Sequence, residues 1–396
     1  MMYGQSCLPR IRFVLTLAAG LFLTAAAVTS SAAPAVADPA RVYAPGIPTL
    51  QQLYASSEYS PPSTGPKLPP NKSVIFLSCG QLSIGCAGPA VAMEKIAKKI
   101  GWKYKIVDGA FGVNDGYNSG MRQAIAAKPD AIVVHGIACT QIVQPLKEAK
   151  AAGIPVINIQ AADCDDAKNP GGSSEPLFIN MQFNKAFKSA VEFFYQAGFT
   201  QASYIIDATQ GHAKIIRDTF TGSLQGVYQA AGQDAALAKC NDCKMLGTVE
   251  WTATDSGAGG VLNQKFTTLL TRFPTANAAL LSYDSVATSF GLSKVIADAG
   301  RQKSMVIVAG EGYAPAQQSI RDGAITADAG QSSDWMAWGA IDTINRYFNK
   351  SPQIPQGIGY RVIDASHNLS PEGKDYTPPN PPIDLQGTYL KSWGVK

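Results

Sequence analysis

Catalytic signatures are scarce in this chain. Three histidines, His135, His212 and His367, occur in 396 residues. There is no G-x-S-x-G, no Walker A loop and no H-E-x-x-H, which removes elbow-type hydrolases, P-loop nucleotide enzymes and zincins. "GAGG" (257–260) does not follow a strand in G-x-G-x-x-G form. Ser203, Asp207 and His212 have no spacing that makes a triad. Charge is equally thin: 16% of residues are charged, no run of five like charges occurs, and the net charge is +4. Nucleic acid is therefore not an expected partner. No apolar run reaches the ~20 residues of a spanning helix. An enzyme, a cofactor and a metal centre are all unexpected.

The N-terminus has an export pattern. Arg10 and Arg12 precede "FVLTLAAGLFLTAAAV" (13–28), and small residues follow up to "AVAD", the order of a cleaved secretory signal. Cleavage after Ala37 leaves Ala35 and Ala37 at the small positions, and losing the two arginines takes the charge from +4 to +2. Cys7 precedes the apolar run and cannot be a lipidated cysteine at the cleavage site. The mature chain is expected outside the cytoplasm. It retains six cysteines, Cys79, Cys86, Cys139, Cys164, Cys240 and Cys243. An even set in an exported protein argues for disulfides, with fifteen possible pairings.

Residues 38–71 are rich in proline ("PPSTGPKLPP") and read as a tether, with a short helix near "LQQLY". From Lys72 one pattern recurs: apolar strand, polar loop, amphipathic helix, glycine. "SVIFLSCG", "KYKIVDG", "DAIVVHG" and "IPVINIQ" are the strands of a first series. The helix "KAFKSAVEFFYQAG", capped by Asn184 and closed by Gly198, ends it. A second series is predicted to begin with the strand "ASYIIDA" and to continue through "KMLGTVEW", "NAALLSYD" and "SMVIVAGEG". Such alternation means parallel sheets covered on both faces. The fold class is α/β, with two doubly wound parallel-sheet domains.

Ligands of such sheets bind beyond the carboxyl ends of the strands. That rule selects Cys79–Cys86, Phe111, His135, Gln160, Trp251, Tyr283, Asp284, Glu311 and Gln331. In a 2-1-3-4-5 strand order the third and fourth strands are neighbours, so Cys139 and Cys164 can bridge. Cys79–Cys86 would staple the first loop and Cys240–Cys243 would pinch a turn. A redox or metal role for the lone "CNDC" is the competing reading. His135 either faces the cleft or is a satisfied loop residue. Asp284 either faces a ligand or caps the helix that follows it.

Two stretches, "NAALLSYDSVATSFGLSKVIADAG" and "MVIVAGEGYAPAQQSIRDGAITADAGQ", carry a resemblance to the type I periplasmic binding proteins, in particular their ribose/galactose-like sugar-binding group. It covers about residues 72–365. Members usually have Asn-Asp where Tyr283-Asp284 stand, Gly-Phe-Asp-Gly where residues 309–312 stand, and a glutamine at Gln331. The resemblance implies a monomeric extracytoplasmic receptor that hands a solute to the permease of an ABC importer. It implies three crossings near 182–184, 331–333 and 362–365, with one lobe of 72–183 plus 332–363 and another of 184–331 plus 364–396. The usual Asp-Arg after the fourth strand is Gln160-Ala161. The usual arginine of the second lobe's long helix falls near Thr221 or Ser223, with Arg217 as its substitute. A sugar bound by Glu311, Gln331, Gln160 and Asp284 is expected, or a less polar cyclic solute against Trp251, Tyr283 and Phe111. A sensor feeding a membrane signalling protein is the other role this fold allows.

Overall fold

The computed structural model describes residues 42–166, 168, 173–257, 259–378 and 383–395. The expected signal, residues 1–37, lies outside them. All described residues fall in one compact unit. None of its helices is long and apolar enough to cross a membrane.

The short helix α1 (Leu50–Ala55) precedes the first sheet. Strands β1 (Ser73–Ser78), β2 (Lys103–Asp108), β3 (Ala131–His135), β4 (Val156–Ile159) and β5 (Ile179–Asn180) lie in the order β2-β1-β3-β4-β5, all parallel. Helices α2 (Ile84–Lys99), α3 (Gly116–Ala126) and α4 (Val143–Ala151) connect them. Side chains alternate across the pleat. Val74 and Phe76 of β1 enter the core under α2, while Ile75 and Leu77 enter the core under α3 and α4.

The second sheet is built the same way. It uses α5 (Ala190–Ala208), β6 (Lys214–Phe220), α6 (Leu224–Leu237), β7 (Lys244–Trp251), α7 (Val261–Arg272), β8 (Ala278–Leu280), α8 (Asp284–Ala287), α9 (Leu292–Asp298), β9 (Val306–Ala309), α10 (Ala314–Arg321) and β10 (Ala327–Gly330). After α11 (Ser333–Phe348), the strand β11 (Arg361–Asp364) pairs antiparallel with β10, giving the order β11-β10-β9-β8-β6-β7. Helix α12 (Leu385–Ser392) ends the chain's regular structure.

Several expectations need correction. "ASYIIDA" is not a strand: α5 runs unbroken from Ala190 to Ala208. It starts on a Ser189–Glu192 capping box rather than on Asn184, whose amide instead donates to the Ser57 and Ile358 carbonyls. The stretch is buried on every side, so it has no helical stripe and imitates a strand. Gly198 does not close the helix; a Cβ there would strike the Gln229 carbonyl of α6, and one at Gly232 would strike the Tyr195 carbonyl of α5. The two glycines let the helices cross closely.

The proline-rich stretch is not a free tether, at least from residue 42. Ala44, Ile47, Leu50 and Leu53 are buried against the second lobe. The chain then pairs with the hinge, Ser57 N–H donating to Tyr360 and Tyr59 N–H to Gly357 at 2.9 and 2.8 Å. Thr64, Pro66 and Pro69 carbonyls accept from Arg346, Asn345 and Trp102 of the first lobe. Proline leaves these carbonyls without a local sheet partner, and the body supplies donors instead. Arg346 also pairs with the fully buried Asp342 at 2.6 Å.

The tail does not stay in the second lobe. Tyr376 N–H bonds Gly312, but Tyr389 and Trp393 of and beside α12 pack on Trp338 of α11, in the first lobe's core. Conversely β11 belongs to the second sheet although residues 361–363 were expected in the first lobe.

Candidate functional site

The carboxyl ends of both sheets face one another across a cleft. There they enclose a cavity of about 650 Å³, counting its part open to solvent. Residues following β1, β2, β3 and β4 form one wall, and residues ending or following β6, β7, β8 and β9 form the other. A second cavity of about 220 Å³ adjoins it, sharing Phe194, Tyr283 and Glu311 and adding Gln331.

Of the eight predicted ligand residues, Phe111, Gln160, Trp251, Tyr283 and Glu311 line the large cavity, and Gln331 lines the small one. Asp284 does not reach either. It sits at the start of α8, fully buried, its Oδ2 accepting from Tyr313 N–H at 2.7 Å. Arg217 is also displaced. Because β6 begins at Lys214, Arg217 is a mid-strand residue whose guanidinium pairs with Asp234 at 2.6 Å and bonds Thr248.

Seven of the described lining residues are aromatic: Phe111, Tyr117, Phe194, Phe220, Trp251, Tyr283 and Phe290. Phe220 and Trp251 have centroids 4.7 Å apart, and Phe290 meets Trp251 edge-on at 5.9 Å. Asp218, buried in mid-β6, aims the indole: its Oδ2 accepts from Trp251 Nε1–H at 2.7 Å and from Ser282 Oγ–H. Burial holds the Asp218 carboxyl above the usual range. Phe111 stands on a strained turn in which Ala110, Phe111, Asn114 and Asp115 all have φ between 47° and 60°. Such backbone needs outside support. Asp108 Oδ1 supplies it by accepting from Ala110 and Gln81 N–H groups.

A polar chain crosses the inner end. His135 Nε2–H meets Gln160 Oε1 at 2.8 Å, and Gln160 Nε2–H donates to Gln331 Oε1 at 2.9 Å. Burial lowers His135 to about 4, so it is neutral at pH 7. It both faces the cavity and is satisfied, so the two sequence readings coexist. Sequence reasoning did not single out Gln225, whose amide donates to the Gln160 carbonyl, and it read Ser285, whose hydroxyl lies 3.0 Å from that of Ser83, only as a strand-end residue or a helix cap. Both follow helix starts, where no motif marks them. These bonds, with Tyr228 on Asp166 at 2.8 Å, join the lobes directly, so the cleft is closed. Pro89 contributes too. Without an N–H it cannot satisfy the Gly85 carbonyl within α2, and that carbonyl accepts from Tyr313 Oη across the cleft.

Among the described residues, Glu311 is the one carboxylic acid lining the cavity. Its Oε2 accepts the Asp284 N–H at 3.2 Å, and its own N–H donates to Asp328 Oδ1 at 2.9 Å. Burial lifts its carboxyl to about 8, against the Asp284 N–H bond and with the repulsion of Asp328. Asp284 and Asp328, fully buried behind it, are pushed up by burial and, for Asp284, by its carboxyl neighbour. At neutral pH this cluster therefore holds protons.

The six cysteines come together as Cys79–Cys86, Cys139–Cys164 and Cys240–Cys243, with Cα atoms 5.5, 5.0 and 5.4 Å apart. The first pair lines the cavity.

Residues 88–351 match the model of the periplasmic binding protein domain. The chain belongs to that family. Within it, the chain is 24% identical over 201 residues to the D-allose-binding periplasmic protein of Escherichia coli (strain K12), a match covering 50% of this chain and 58% of that relative. The match thus spans little more than half of the curated relative's length. Among solved structures, the periplasmic binding protein component of the arabinose ABC transporter from Shewanella sp. ANA-3, bound to α- and β-L-arabinofuranose, superposes with a TM-score of 0.60 at 22% identity, over 74% of this chain and 91% of that one. A galactofuranose binding protein gives 0.62 at 18% identity, over 74% and 95%. The periplasmic-binding-protein fold is thereby established.

Proposed function

We propose that this protein is an exported receptor that captures a small, sugar-like ring solute between its lobes and presents it to an ABC importer. The observation that carries this reading is the cavity itself. Aromatic walls and polar groups converge on it from both lobes, so only the closed form offers a solute all its contacts. The named sugars of its relatives support the solute class, and the transporter named with one of them supports the importer. The N-terminal export pattern and three pairable sets of cysteines support an oxidising compartment. The reading makes the chain a carrier, with no catalytic step, acting as a monomer.

A thermal-shift screen of neutral and charged monosaccharides tests it, followed by mass spectrometry of the bound compound. The expected result is one solute class that raises the melting temperature and is recovered unchanged. Recovery of a chemically altered compound in proportion to protein would overturn the carrier reading.

A further inference from the structure

The large cavity has a wall chemistry that narrows its guest. Among the described residues its lining contains no lysine and no arginine. Its polar groups are mostly committed within the protein: Gln160 to His135 and Gln331, Ser83 to Ser285, the Trp251 indole to Asp218. A sugar with four or five hydroxyls would leave several of them buried without partners, which is costly. Glu311 differs. Its Oε2 is held by the Asp284 N–H, whereas no described protein group donates to Oε1. Behind it, Asp284 Oδ1 and Asp328 Oδ2 are buried with no donor outside the carboxyl cluster. Glu311 thus lines one pocket end with two carboxyls buried behind it, and no lysine or arginine among the described residues acts on any of the three. Trp251, Phe220, Phe290 and Tyr283 line the same cavity as that acid, and aromatic faces attract cations.

We infer, building on the receptor reading above, that the solute is a positively charged ring compound: a cyclic amine with few hydroxyls whose ammonium pairs with Glu311 while its ring lies against Trp251. The amine supplies the counter-charge that Glu311 lacks once it ionises. An anion would meet no lysine or arginine among the described lining residues, and a neutral polyol few free partners. Binding a cation requires Glu311 to ionise, so a proton leaves as the amine enters. The groups facing Glu311 leave that proton as the one that titrates with binding: the Asp284–Asp328 pair behind, the Tyr283, Tyr313 and Tyr360 hydroxyls beside it, and neutral His135 across the cleft. Below about pH 8 the affinity for an amine that stays charged should therefore rise by close to tenfold per pH unit.

Matched pairs test this by calorimetry at pH 6.5: cyclohexylamine with cyclohexanol, benzylamine with benzyl alcohol, glucosamine with glucose. The amine of at least one pair is expected to bind tenfold or more tighter than its alcohol. For cyclohexylamine, titrations in two buffers of different ionisation enthalpy should show about one proton released, and Glu311→Gln should level the pair. The proton count on the unaltered protein decides the matter even if that variant folds poorly. An alcohol binding as tightly as its amine, or amine binding with no proton released, overturns the inference and leaves the receptor reading standing. No response to any of these compounds or to D-allose and L-arabinose counts against the receptor reading, and the inference falls with it.

Discussion

Urea unfolding of the ligand-free protein at pH 5 and at pH 8 is expected to show a stability loss that Glu311→Gln largely abolishes. The Glu311 carboxyl titrates near 8 in the folded chain against an ordinary 4.5. A carboxyl whose folded value is raised contributes stability that is complete below 4.5 and drains away as pH climbs through 8. The difference corresponds to about 5 kcal/mol at most, a large share of a typical domain's margin. Glutamine keeps the size and an oxygen for the Asp284 N–H but cannot ionise. Asp284 and Asp328 move in the same direction, and Asp207, buried and raised to about 6, adds to the slope. His135, lowered to about 4, opposes them: its contribution is lost as pH falls from 6.5 through 4. Subtracting the variant from the parent isolates Glu311. Equal pH slopes in the two proteins would mean that the acid is already ionised and paired.

Trp251→Ala should cost about 3–5 kcal/mol of stability, as large-to-small changes of buried aromatics do. The ring is 4% exposed and packs on Phe220 and Phe290, and its removal also takes one donor from the buried Asp218. Ser282 keeps that carboxylate partly satisfied through its N–H and Oγ–H. Solute affinity should fall by ~30-fold or more, the scale of a central anchor residue. Trp251→Phe separates the two roles: it retains a ring at the wall but removes the indole donor from Asp218, so stability should fall while much of the binding survives. Denaturant midpoints and calorimetric titrations of both variants measure the pair of effects. Unchanged affinity in Trp251→Ala would remove the indole from the site.

The strand ends were legible because parallel sheets place function there, and Gln160, Trp251, Tyr283 and Glu311 each follow a run of apolar residues with no helical stripe. The first sheet's parallel strands were legible from strand–helix alternation, whereas their order entered only as an assumed 2-1-3-4-5 arrangement. What failed has physical causes. "ASYIIDA" is apolar all round because α5 is enclosed by α6, the second sheet and α1, and such a helix carries no period. That shift moved β6 and carried Arg217 away from the cleft. Prolines at 61–70 looked like a linker because a strap held by side chains of other segments, such as Arg346 and Trp102, leaves no periodic signal of its own. Asp284 was placed beside a ligand by its neighbour Tyr283, yet its carboxyl turns inward to Tyr313 and Asp328, a long-range pairing.

The central claim is that a solute is held between two lobes that close on it. Small-angle X-ray scattering of the protein, alone and saturated with a solute whose binding calorimetry has established, tests it most directly. The account predicts a smaller radius of gyration in the saturated sample. Superimposable curves from the two samples would contradict it.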